Sequence, residues 1–539
     1  MAVNVEQWQM HEFELTSTVS YENAYYDIDV DVTFSGPNGE VIVHPAFWNG
    51  GDSWGVRFAP ISLGDWTYTT SCSDPDNAGL IGQTGSITCV AYTGDKKIYQ
   101  HGWLKKIDGE RFLFYDDGTP FYWLGDTHWR FAILERWDES NKEGFDSQFK
   151  NMVDRRVSQE FTVYQSNLIG NIRFEAESDG NGFFIENTTF KLIDVDFFKN
   201  NVDRKMAYIA EQGFVNTMSF VWAWFLETDY VEQMKRFARY VVARYGAYPM
   251  IWSIVGEAAY YSSTIIAEEL LERWRQIALE VKQVDGFQHL ITIHFTQARP
   301  LPTYYVGEPW LDFVLGALGH GGESMNVSYY AEFFEEFPDI PYVEGEAFYD
   351  NLLTLEYPAR RYVSAIMVRN TAYRAIQSGL CGYSYGAQGI WNAAWDSDSI
   401  DAQTAFWGTT DWATAIDSEI ADQLTYMKHF YESLPWHELK PRKDIFSAYS
   451  GLPMPNYAPN VTANDDLSVI VYHCADQYSD FRSTWQLQNL PDATYSAKLF
   501  NPRTGEMTDS GQISTENGAF IVPSLPTASE DWLWLFEML

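Results

Sequence analysis

The feature that most constrains this chain is a regular alternation of short apolar runs with helical patterns through its middle. The extended runs are 121–125, 161–165, 214–220, 250–255, 290–294, 311–315, 341–345 and 380–385. The helical patterns between them include 202–211, 230–245, 265–284 and 360–378. Eight strands that alternate with helices favour a closed parallel barrel over an open sheet. The sequence therefore predicts an α/β fold with a (β/α)₈ TIM barrel over residues 119–438.

The regions on either side of the barrel have the period-two alternation of β-strands instead. Residues 1–92 contain alternating runs such as 26–34, and residues 439–539 contain others such as 467–472. Several short strands separated by turn signals are typical of β-sandwiches. We therefore expect an N-terminal and a C-terminal β-sandwich domain, with residues 93–118 as a connector to the barrel.

The charge balance and the aromatic content indicate the class of partner. The chain has 74 acidic and 36 basic side chains, a net charge of −38, which argues against a surface for nucleic acid or an anionic membrane. Aromatic residues make up 17% of the chain, and flat rings with polar tips suit sugars. The expected partner is an oligosaccharide or polysaccharide, and a homo-oligomer is also compatible with the sequence.

Cysteines, histidines and glycines give no sign of a metal or cofactor site. No CxxC pair occurs, although Cys72 and Cys89 could pair if the protein is exported. His289 and His294 are five apart and face opposite sides of a strand. No phosphate-binding loop or dinucleotide motif follows a strand, so we expect no metal and no cofactor. Residues 1–10 lack the features of a signal peptide, which indicates either a cytoplasmic protein or an exported one without its leader.

Glutamates follow the fourth and the seventh predicted strands. Residues 249–261 form a buried run that delivers Glu257, and residues 340–349 form an extended run that presents Glu344 and Glu346. Catalytic groups of a barrel lie at the C-terminal ends of its strands. Two carboxylates there, bordered by Trp and Tyr, suggest hydrolysis of a glycosidic bond. Each glutamate taken alone could equally be a loop charge or a neighbour of a helix N-cap.

Several motifs carry a resemblance to a known family. They are PFYWLGDTHW at 120–129, RYGAYP at 244–249, Gly256-Glu257, EGEAFY at 344–349 and YGAQGIW at 385–391. With these motifs the chain resembles the apiosidase-like glycoside hydrolases, whose (β/α)₈ barrel has catalytic carboxylates on strands four and seven. The two flanking domains resemble the sandwiches that commonly precede and follow this barrel. The resemblance implies Glu257 as general acid/base and Glu346 as nucleophile.

The chain departs from its relatives close to both carboxylates. Relatives often have Pro at the position of Ala347, and they can carry Asp at the position of Glu257. Many members of the wider clan have Asn at the position of Gly256, which binds the 2-hydroxyl of the sugar. That hydrogen bond is therefore missing here or supplied elsewhere. Glu346 is favoured over Glu344 because the Gly-Glu-x-x-Tyr pattern fixes the register, but a rim two residues earlier would select Glu344.

The two carboxyl groups of a retaining glycosidase need different protonation states. One stays protonated to donate to the leaving oxygen, and the other is ionised to attack the sugar. Glu257, framed by Trp252 and 260–261 (Tyr-Tyr), is predicted to be the acid. Glu346, near Tyr349, is predicted to be the nucleophile.

The remaining strand ends supply candidate substrate-binding residues. They are Asp126, His128 and Trp129 after strand one, Gln165 after strand two, Trp222 and Trp224 after strand three, His294 after strand five, Tyr349 after strand seven, and Tyr385, Gln388 and Trp391 after strand eight. Polar side chains at such places can hold sugar hydroxyls, and Trp can form the floor of a subsite. Taken alone, a Trp is more often a core residue and a His more often structural.

The sequence therefore predicts a retaining glycoside hydrolase that releases a terminal sugar, such as a pentose or furanose, from a plant or microbial polysaccharide. The exo mode is inferred from aromatic segments after strands one, three and eight, which could close one end of a cleft. Two alternatives stay open. One is an endo-acting glycanase of the same clan, and the other is a non-catalytic carbohydrate-binding protein on a retired barrel.

Overall fold

The protein consists of a central parallel barrel between two antiparallel β-sheet domains. The structure is a computed structural model, and it describes residues 3–169, 183–184, 190–223, 230–258, 267–295, 304–320, 328–355, 360–396, 405–447, 460–474, 485–527 and 530–539. The predicted fold class, a TIM barrel flanked by β-sandwich domains, is confirmed.

The barrel strands follow one another around the ring in chain order. They are β1 (Trp123–His128), β2 (Val163–Asn167), β3 (Val215–Ser219), β4 (Met250–Ser253), β5 (Ile291–Thr292), β6 (Val314–Gly316), β7 (Tyr342–Glu344) and β8 (Gly382–Tyr385). The first and last strands pair in parallel, with Gly125 opposite Ser384. A parallel bridge between His294 and Leu315 closes the ring between β5 and β6. Every predicted strand overlaps the strand that forms.

The outer layer consists of amphipathic helices. The longer ones are Gln148–Ser158, Asp203–Glu211, Val231–Tyr245, Ala267–Val284, Ser328–Glu336, Ala365–Gln377 and Glu419–Glu432. The shorter helical segments are Ala24–Asp27, Lys97–Gln100, Val195–Phe197, the π-helical turn Phe198–Val202, Trp412–Ala415, and the 3₁₀ turns Trp436–Glu438 and Lys443–Ile445. The helix predicted at 360–378 begins only at Ala365, because the preceding residues are extended and Tyr362 pairs with Leu353.

Side chains of the barrel strands point alternately into the barrel and towards the helices. In β1, Trp123 faces the interior, where its ring contacts Phe313 at 5.6 Å and its Nε1 donates to Ser384. Asp126 faces outwards and bonds to Arg156 of the helix Gln148–Ser158. This alternation decides which residues at the strand ends can reach the barrel mouth, the opening at the C-terminal ends of the strands.

The N-terminal domain packs two sheets around an apolar core. One sheet has the order Val3–Glu6, Thr84–Val90, Gly64–Cys72, Val30–Ser35 and Val41–Pro45, and the other has the order His11–Thr16, Ser53–Phe58 and Phe47–Trp48. In the core, Phe34 stacks on Phe58 with ring centroids 3.8 Å apart. Cys72 and Cys89 are both free, because Cys72 ends the strand that begins at Gly64, whereas Cys89 lies opposite Gly64 at the other end of that strand.

The segment before β1 is ordered into a small antiparallel sheet. It consists of Leu104–Lys106, Leu113–Tyr115 and Pro120–Phe121. Phe121 contacts Trp123 edge to face with centroids 6.5 Å apart. The sheet therefore covers the N-terminal end of the barrel, the end opposite the mouth.

The interface between the N-terminal sandwich and the barrel contains a buried charge cluster. Arg244 donates to Asp203 through Nε at 2.7 Å and Nη2 at 2.6 Å. Arg57 of the sandwich donates to Asp203 at 2.9 Å and to the carbonyl of Arg244 at 2.6 Å. Burial opposes ionisation of Asp203, but the two guanidinium groups outweigh it and lower its pKa to about 2. The first residue of the RYGAYP motif, Arg244, therefore helps to join the barrel to the N-terminal sandwich.

The C-terminal domain also contains two sheets. The larger has the order Lys440–Pro441, Asn460–Ala463, Val469–Cys474, Trp532–Met538, Thr494–Asn501 and Glu506–Ser514, and the smaller has the order Phe446–Ser447, Gln486–Leu487 and Phe520–Ile521. Arg369 of the helix Ala365–Gln377 pairs with buried Asp531 at 2.8 and 3.1 Å, which fixes this domain to the barrel. In the described ranges, no helix has the length and apolarity needed to cross a membrane.

Candidate active site

Glu257 lies at the barrel mouth, on the turn that follows β4. Its φ of 54° is in the left-handed region, which costs a residue other than glycine about 1 kcal/mol and is common at functional sites. Its backbone N–H donates to Nδ1 of His294 at 3.4 Å. Gly256, just before it, donates to the carbonyl of Val221 at 2.8 Å. The turn is therefore held between the ends of β3 and β5.

Gly256 is required because its neighbours leave no space for a side chain. A Cβ at this position would lie 2.5 Å from Cε3 of Trp222 and 3.0 Å from Nδ2 of Asn167. The apolar neighbour of the Glu257 turn is therefore Trp222. The predicted neighbour, Trp252, faces outwards instead, where its Nε1 donates to Asp285 at 2.9 Å. The other predicted neighbours, residues 260–261, lie outside the described residues.

Glu346 follows β7 and lies between two histidines. Its Oε1 is 3.2 Å from Nε2 of His320, and its Oε2 is 3.4 Å from Nε2 of His294. Because Nδ1 of His294 accepts from the N–H of Glu257, its Nε2 carries the ring proton and faces Glu346. This second contact is electrostatic, since the two atoms lack good hydrogen-bond alignment. Burial lowers the pKa of His294, which favours the neutral ring.

The pKa values of the two carboxyl groups shift in opposite directions. Burial, with a further contribution from the charge of Glu346, raises the pKa of Glu257 to about 8. Burial alone would also raise the pKa of Glu346. The hydrogen bond from His320 and the favourable electrostatic influence of both imidazole rings outweigh that effect and place the pKa of Glu346 below the ordinary value. At neutral pH, Glu257 is therefore protonated and Glu346 is ionised.

Both carboxylate oxygens of Glu344 are occupied by hydrogen bonds within the protein. Its Oε1 accepts from the backbone N–H groups of Leu318 at 3.0 Å and Glu346 at 3.1 Å, and its Oε2 accepts from the Tyr330 hydroxyl at 2.9 Å. Burial raises its pKa to about 7. Both oxygens are used to join the segments that follow β6 and β7, so of these two glutamates Glu346 is the one whose carboxylate is left to the histidines at the mouth.

An aromatic wall adjoins the two carboxylates. Trp129 donates from Nε1 to the Tyr349 hydroxyl at 2.7 Å, stacks on His294 at 5.4 Å and meets Trp222 edge to face at 5.5 Å. Tyr349 in turn contacts His320 at 4.7 Å. The same apolar cluster also contains Leu352, Trp391 and Trp407. The structure therefore brings together the predicted residues Trp129, Trp222, His294, Tyr349 and Trp391.

Two predicted glutamines lie behind this wall. Gln165 donates to the carbonyl of Gly345 at 2.9 Å and accepts from the Ser384 hydroxyl at 2.6 Å. Gln388 donates to the carbonyl of Gly408 at 2.8 Å and accepts from Nε1 of Trp391 at 2.9 Å. Both amides are buried, and both bond to groups of the protein on each side. They position Gly345 and Trp391 instead of facing the mouth.

Asp126, His128 and Tyr385 are not brought to the carboxylates. Asp126 pairs with Arg156 and lies 3.2 Å from Nε2 of His128, whose Nδ1 is 2.7 Å from Glu135. Tyr385 lies opposite Asp126 in the barrel, and Arg156 packs on its ring at 5.2 Å. These side chains lie on the outward face of β1 and β8, because strand alternation reserves the inward face for Trp123, Thr127 and their neighbours.

Sequence reasoning missed three residues near the carboxylates. His320 follows β6, the one strand end to which no candidate was assigned. Asn167 is two residues beyond Gln165, so the period of two could have placed both on the inward face. Trp407 joins the aromatic wall from a distant loop, and no local pattern identifies it. The predicted residue Trp224 lies outside the described residues.

The described part of the chain contains no group of three or more His, Cys, Asp or Glu side chains arranged to hold a metal ion. The two histidines at the mouth contact carboxylate oxygens instead, as described for Glu346.

Comparison with known proteins agrees with this architecture. The sequence pattern of the apiosidase-like catalytic domain matches residues 107–438, and that of a domain of unknown function, DUF5060, matches residues 4–73. No curated protein matches the sequence. A Bacteroides vulgatus protein provisionally assigned as a glycoside hydrolase has a TM-score of 0.71 at 14% identity over 100% of both chains. A family 5 glycoside hydrolase from the same organism has a TM-score of 0.67 at 18% identity, over 82% of this chain and 95% of that one.

At these identities the solved structures establish the fold, and the match to the catalytic domain establishes the family. That match covers more than half of the chain and includes β1 to β8 together with Glu257 and Glu346. The chain belongs to the apiosidase-like family and is a glycoside hydrolase.

Proposed function

We propose that the protein cleaves its glycosidic bond by a retaining double displacement, with Glu346 as nucleophile and Glu257 as general acid and base. The observation that carries the proposal is the opposite shift of the two pKa values at the ends of β4 and β7. One carboxyl group is held protonated and the other ionised at the same pH, which is the division of roles that this reaction requires.

The reaction proceeds in two steps. In the first, the Glu346 carboxylate attacks the anomeric carbon while Glu257 gives its proton to the leaving oxygen, so that a glycosyl-enzyme ester forms as the glycosidic bond breaks. In the second, the Glu257 carboxylate removes a proton from water, and the water oxygen attacks the anomeric carbon and releases Glu346. The sugar leaves with its original anomeric configuration, and both side chains return to their starting states.

The relation between the two carboxyl groups supports retention over inversion. The charge of Glu346 acts on Glu257, and the His294 ring touches the backbone of one and the carboxylate of the other. A retaining pair is separated by roughly 5 to 5.5 Å, whereas an inverting pair is roughly 6.5 to 9.5 Å apart to accommodate a water molecule. A single imidazole that spans both residues favours the shorter separation.

We further propose exo action on the terminal sugar, a pentose or furanose, of a plant or microbial polysaccharide. The aromatic wall supports this mode because it joins residues that follow β1, β3, β7 and β8 beside one carboxylate pair. Trp129 and Tyr349 are 3% and 1% exposed and form the back of this wall. Trp222, Trp391 and Trp407 are only partly buried, so their rings can contact a single terminal sugar. An endo-acting enzyme needs an open groove instead.

The first experiment tests a panel of aryl pentosides and hexosides in both anomeric forms. The wild type is compared with Glu346→Gln and Glu257→Gln, and with Glu344→Gln as a matched control from the same strand. We expect both active-site variants to lose most of the rate and the control to retain far more of it. Proton NMR of the first product formed then distinguishes retention from inversion.

The outcomes separate the alternatives. Full activity of Glu346→Gln would remove that residue from the mechanism, and a product of inverted configuration would replace double displacement by direct attack of water. Digestion of a polysaccharide gives monosaccharide alone for exo action and a ladder of oligosaccharides for endo action. Binding of a glycan without turnover of any substrate would favour a carbohydrate-binding protein.

A further inference from the structure

We propose that Asn167 binds a hydroxyl group of the sugar that is cleaved, the one on the carbon next to the anomeric carbon. The inference rests on the proposed function, because it assumes that a sugar ring lies between Glu257 and Glu346. It adds a substrate-recognition residue that comes from β2, a strand that contributes neither carboxylate.

The first observation is that the Asn167 amide is buried and unsatisfied. The residue is 0% exposed, and within the described residues neither Oδ1 nor Nδ2 has a hydrogen-bond partner. A buried amide without a partner is costly, so native proteins rarely leave both of its atoms unpaired. The neighbouring inward-facing amide, Gln165, shows the contrast, because both of its polar atoms are bonded within the barrel.

The second observation is where the amide lies. Gln165 and Asn167 are two apart on β2 and share the inward face, so Asn167 lies one layer above Gln165, nearer the mouth. Gln165 bonds to the carbonyl of Gly345, the residue that precedes Glu346. Nδ2 of Asn167 is 3.0 Å from the position of a Cβ on Gly256, the residue that precedes Glu257. The Asn167 amide therefore lies beside the backbone that carries Glu257, one layer above the Gln165 amide that bonds to the backbone before Glu346.

The chemistry of the amide fits a sugar hydroxyl. A carboxamide offers both a donor and an acceptor, and a hydroxyl group offers the same pair in return. In the proposed complex, the anomeric carbon lies between the two carboxyl groups. The sugar hydroxyl nearest to it is the one on the neighbouring ring carbon, and a side chain beside Glu257, such as Asn167, can reach that hydroxyl. A hydrogen bond to this hydroxyl strengthens as positive charge develops on the ring in the transition state.

Gly256 and Asn167 depend on each other in this arrangement. A side chain at position 256 would collide with the Asn167 amide and with the Trp222 ring. The glycine therefore leaves the space beside Glu257 to the amide from β2. Asn167 accordingly supplies, from another strand, the hydrogen bond that a side chain at position 256 cannot make.

The test measures a selectivity ratio. For the aryl glycoside that the wild type cleaves fastest, kcat/KM is compared with that for its 2-deoxy analogue, in the wild type and in Asn167→Leu. We expect the variant to lose about 100-fold on the parent glycoside and less than about 5-fold on the analogue. Because Leu is similar in volume and has no unsatisfied polar atoms, we also expect the substrate-free variant to melt at the same temperature as the wild type or higher.

Other results would overturn the proposal. Equal losses on the parent and the 2-deoxy substrate, or a lower melting temperature, would mean that Asn167 is structural or bonds only to a buried water. If Asn167→Leu fails to fold, Asn167→Ser supplies the same ratio with a shorter side chain. Failure of the proposed function is recognised separately, because then the wild type cleaves no glycoside or Glu346→Gln retains its rate.

Discussion

The outward face of β1 and the barrel mouth both contain buried acidic residues and histidines, but their charges are paired differently. On β1, Asp126 pairs with Arg156 and His128 pairs with Glu135, so every buried negative charge has a buried cation beside it. At the mouth, Glu346 lies between His294 and His320, and His294 also accepts from the backbone N–H of Glu257. Within the described residues, neither glutamate pairs with Lys or Arg. On β1 the charges are paired and hold the structure together, whereas at the mouth the raised pKa of Glu257 and the lowered pKa of Glu346 leave one carboxyl group protonated and the other ionised.

The largest expected effect comes from Glu346→Gln. We expect kcat to fall by about 10⁴-fold, because the proposed nucleophile is lost and the residues of a catalytic unit do not replace one another. The free energy of unfolding should fall only modestly, because the lowered pKa of Glu346 means that the folded state favours its ionised form and glutamine loses that contribution. Steady-state kinetics and calorimetry on one preparation check both parts, and a large loss of stability would contradict the comparison.

Asp126→Asn is expected to show the reverse signature. It leaves the buried Arg156 charge unpaired, which should lower the free energy of unfolding by about 3–5 kcal/mol. The folded enzyme should keep its kcat within a few-fold, since Asp126 faces the helix layer. Urea denaturation and kinetics well below the midpoint provide the measurement. A strong fall in kcat without a change in stability would instead place Asp126 in the catalytic machinery.

His320→Phe should have an intermediate effect that depends on pH. The hydrogen bond from His320 holds the pKa of Glu346 low, so its loss should raise that pKa and move the acidic limb of the kcat/KM profile to higher pH. We expect a fall of about 100-fold near pH 5 and a smaller one near pH 7. Tyr330→Phe, which removes a bond to Glu344, is the matched control and should leave the limb in place.

The smallest expected effect is a change with pH, which affects activity through the barrel mouth and stability through the outward face of β1. Activity should fall as pH rises through about 8, where Glu257 loses its proton. Stability should fall at higher pH, because the charges of Glu135 and Asp126 overcome burial and raise the pKa of His128 to about 9. That stabilisation is fully present below pH 6.5 and is lost as pH rises through about 9.

We expect a loss of about 2 kcal/mol between pH 7 and pH 9 from this histidine. Glu257 titrates in the same direction, since its raised pKa also favours the folded state at lower pH. The measurement is therefore made by urea denaturation in the Glu257→Gln background, which removes that contribution. A stability that does not change across this range would mean that His128 is neutral in the folded protein.

The barrel, and the positions of Glu257 and Glu346 just after two of its strands, could be predicted because apolar runs mark strands and strand order is local information. The same runs do not reveal which face of a strand points inwards. Asp126 and His128 were predicted to bind substrate after strand one, but they lie on the face of β1 that meets the helices. Trp252 was misplaced for the same reason.

Loop residues were harder to predict, because long-range contacts determine their positions. The segment of His320 is held by hydrogen bonds from Gly319 to the carbonyl of Glu346 and from Leu355 to the carbonyl of His320. Nothing near position 320 in the sequence encodes those partners. The selection of Glu346 over Glu344 was within reach of a motif, whereas the histidine that lowers its pKa was not.

The shared carboxylate of Asp203 bears on how this enzyme can be engineered. Arg57 reaches across from the sandwich to Asp203 and to the carbonyl of Arg244, so the two domains complete one another's charge balance. A barrel expressed without the N-terminal sandwich loses the Arg57 guanidinium that donates to Asp203, and it also loses the domain that buries Asp203. Domain exchange between relatives should therefore succeed when the incoming sandwich has an arginine at the position of Arg57. In recombination libraries, the crossover points should keep Arg57 and Asp203 from the same parent.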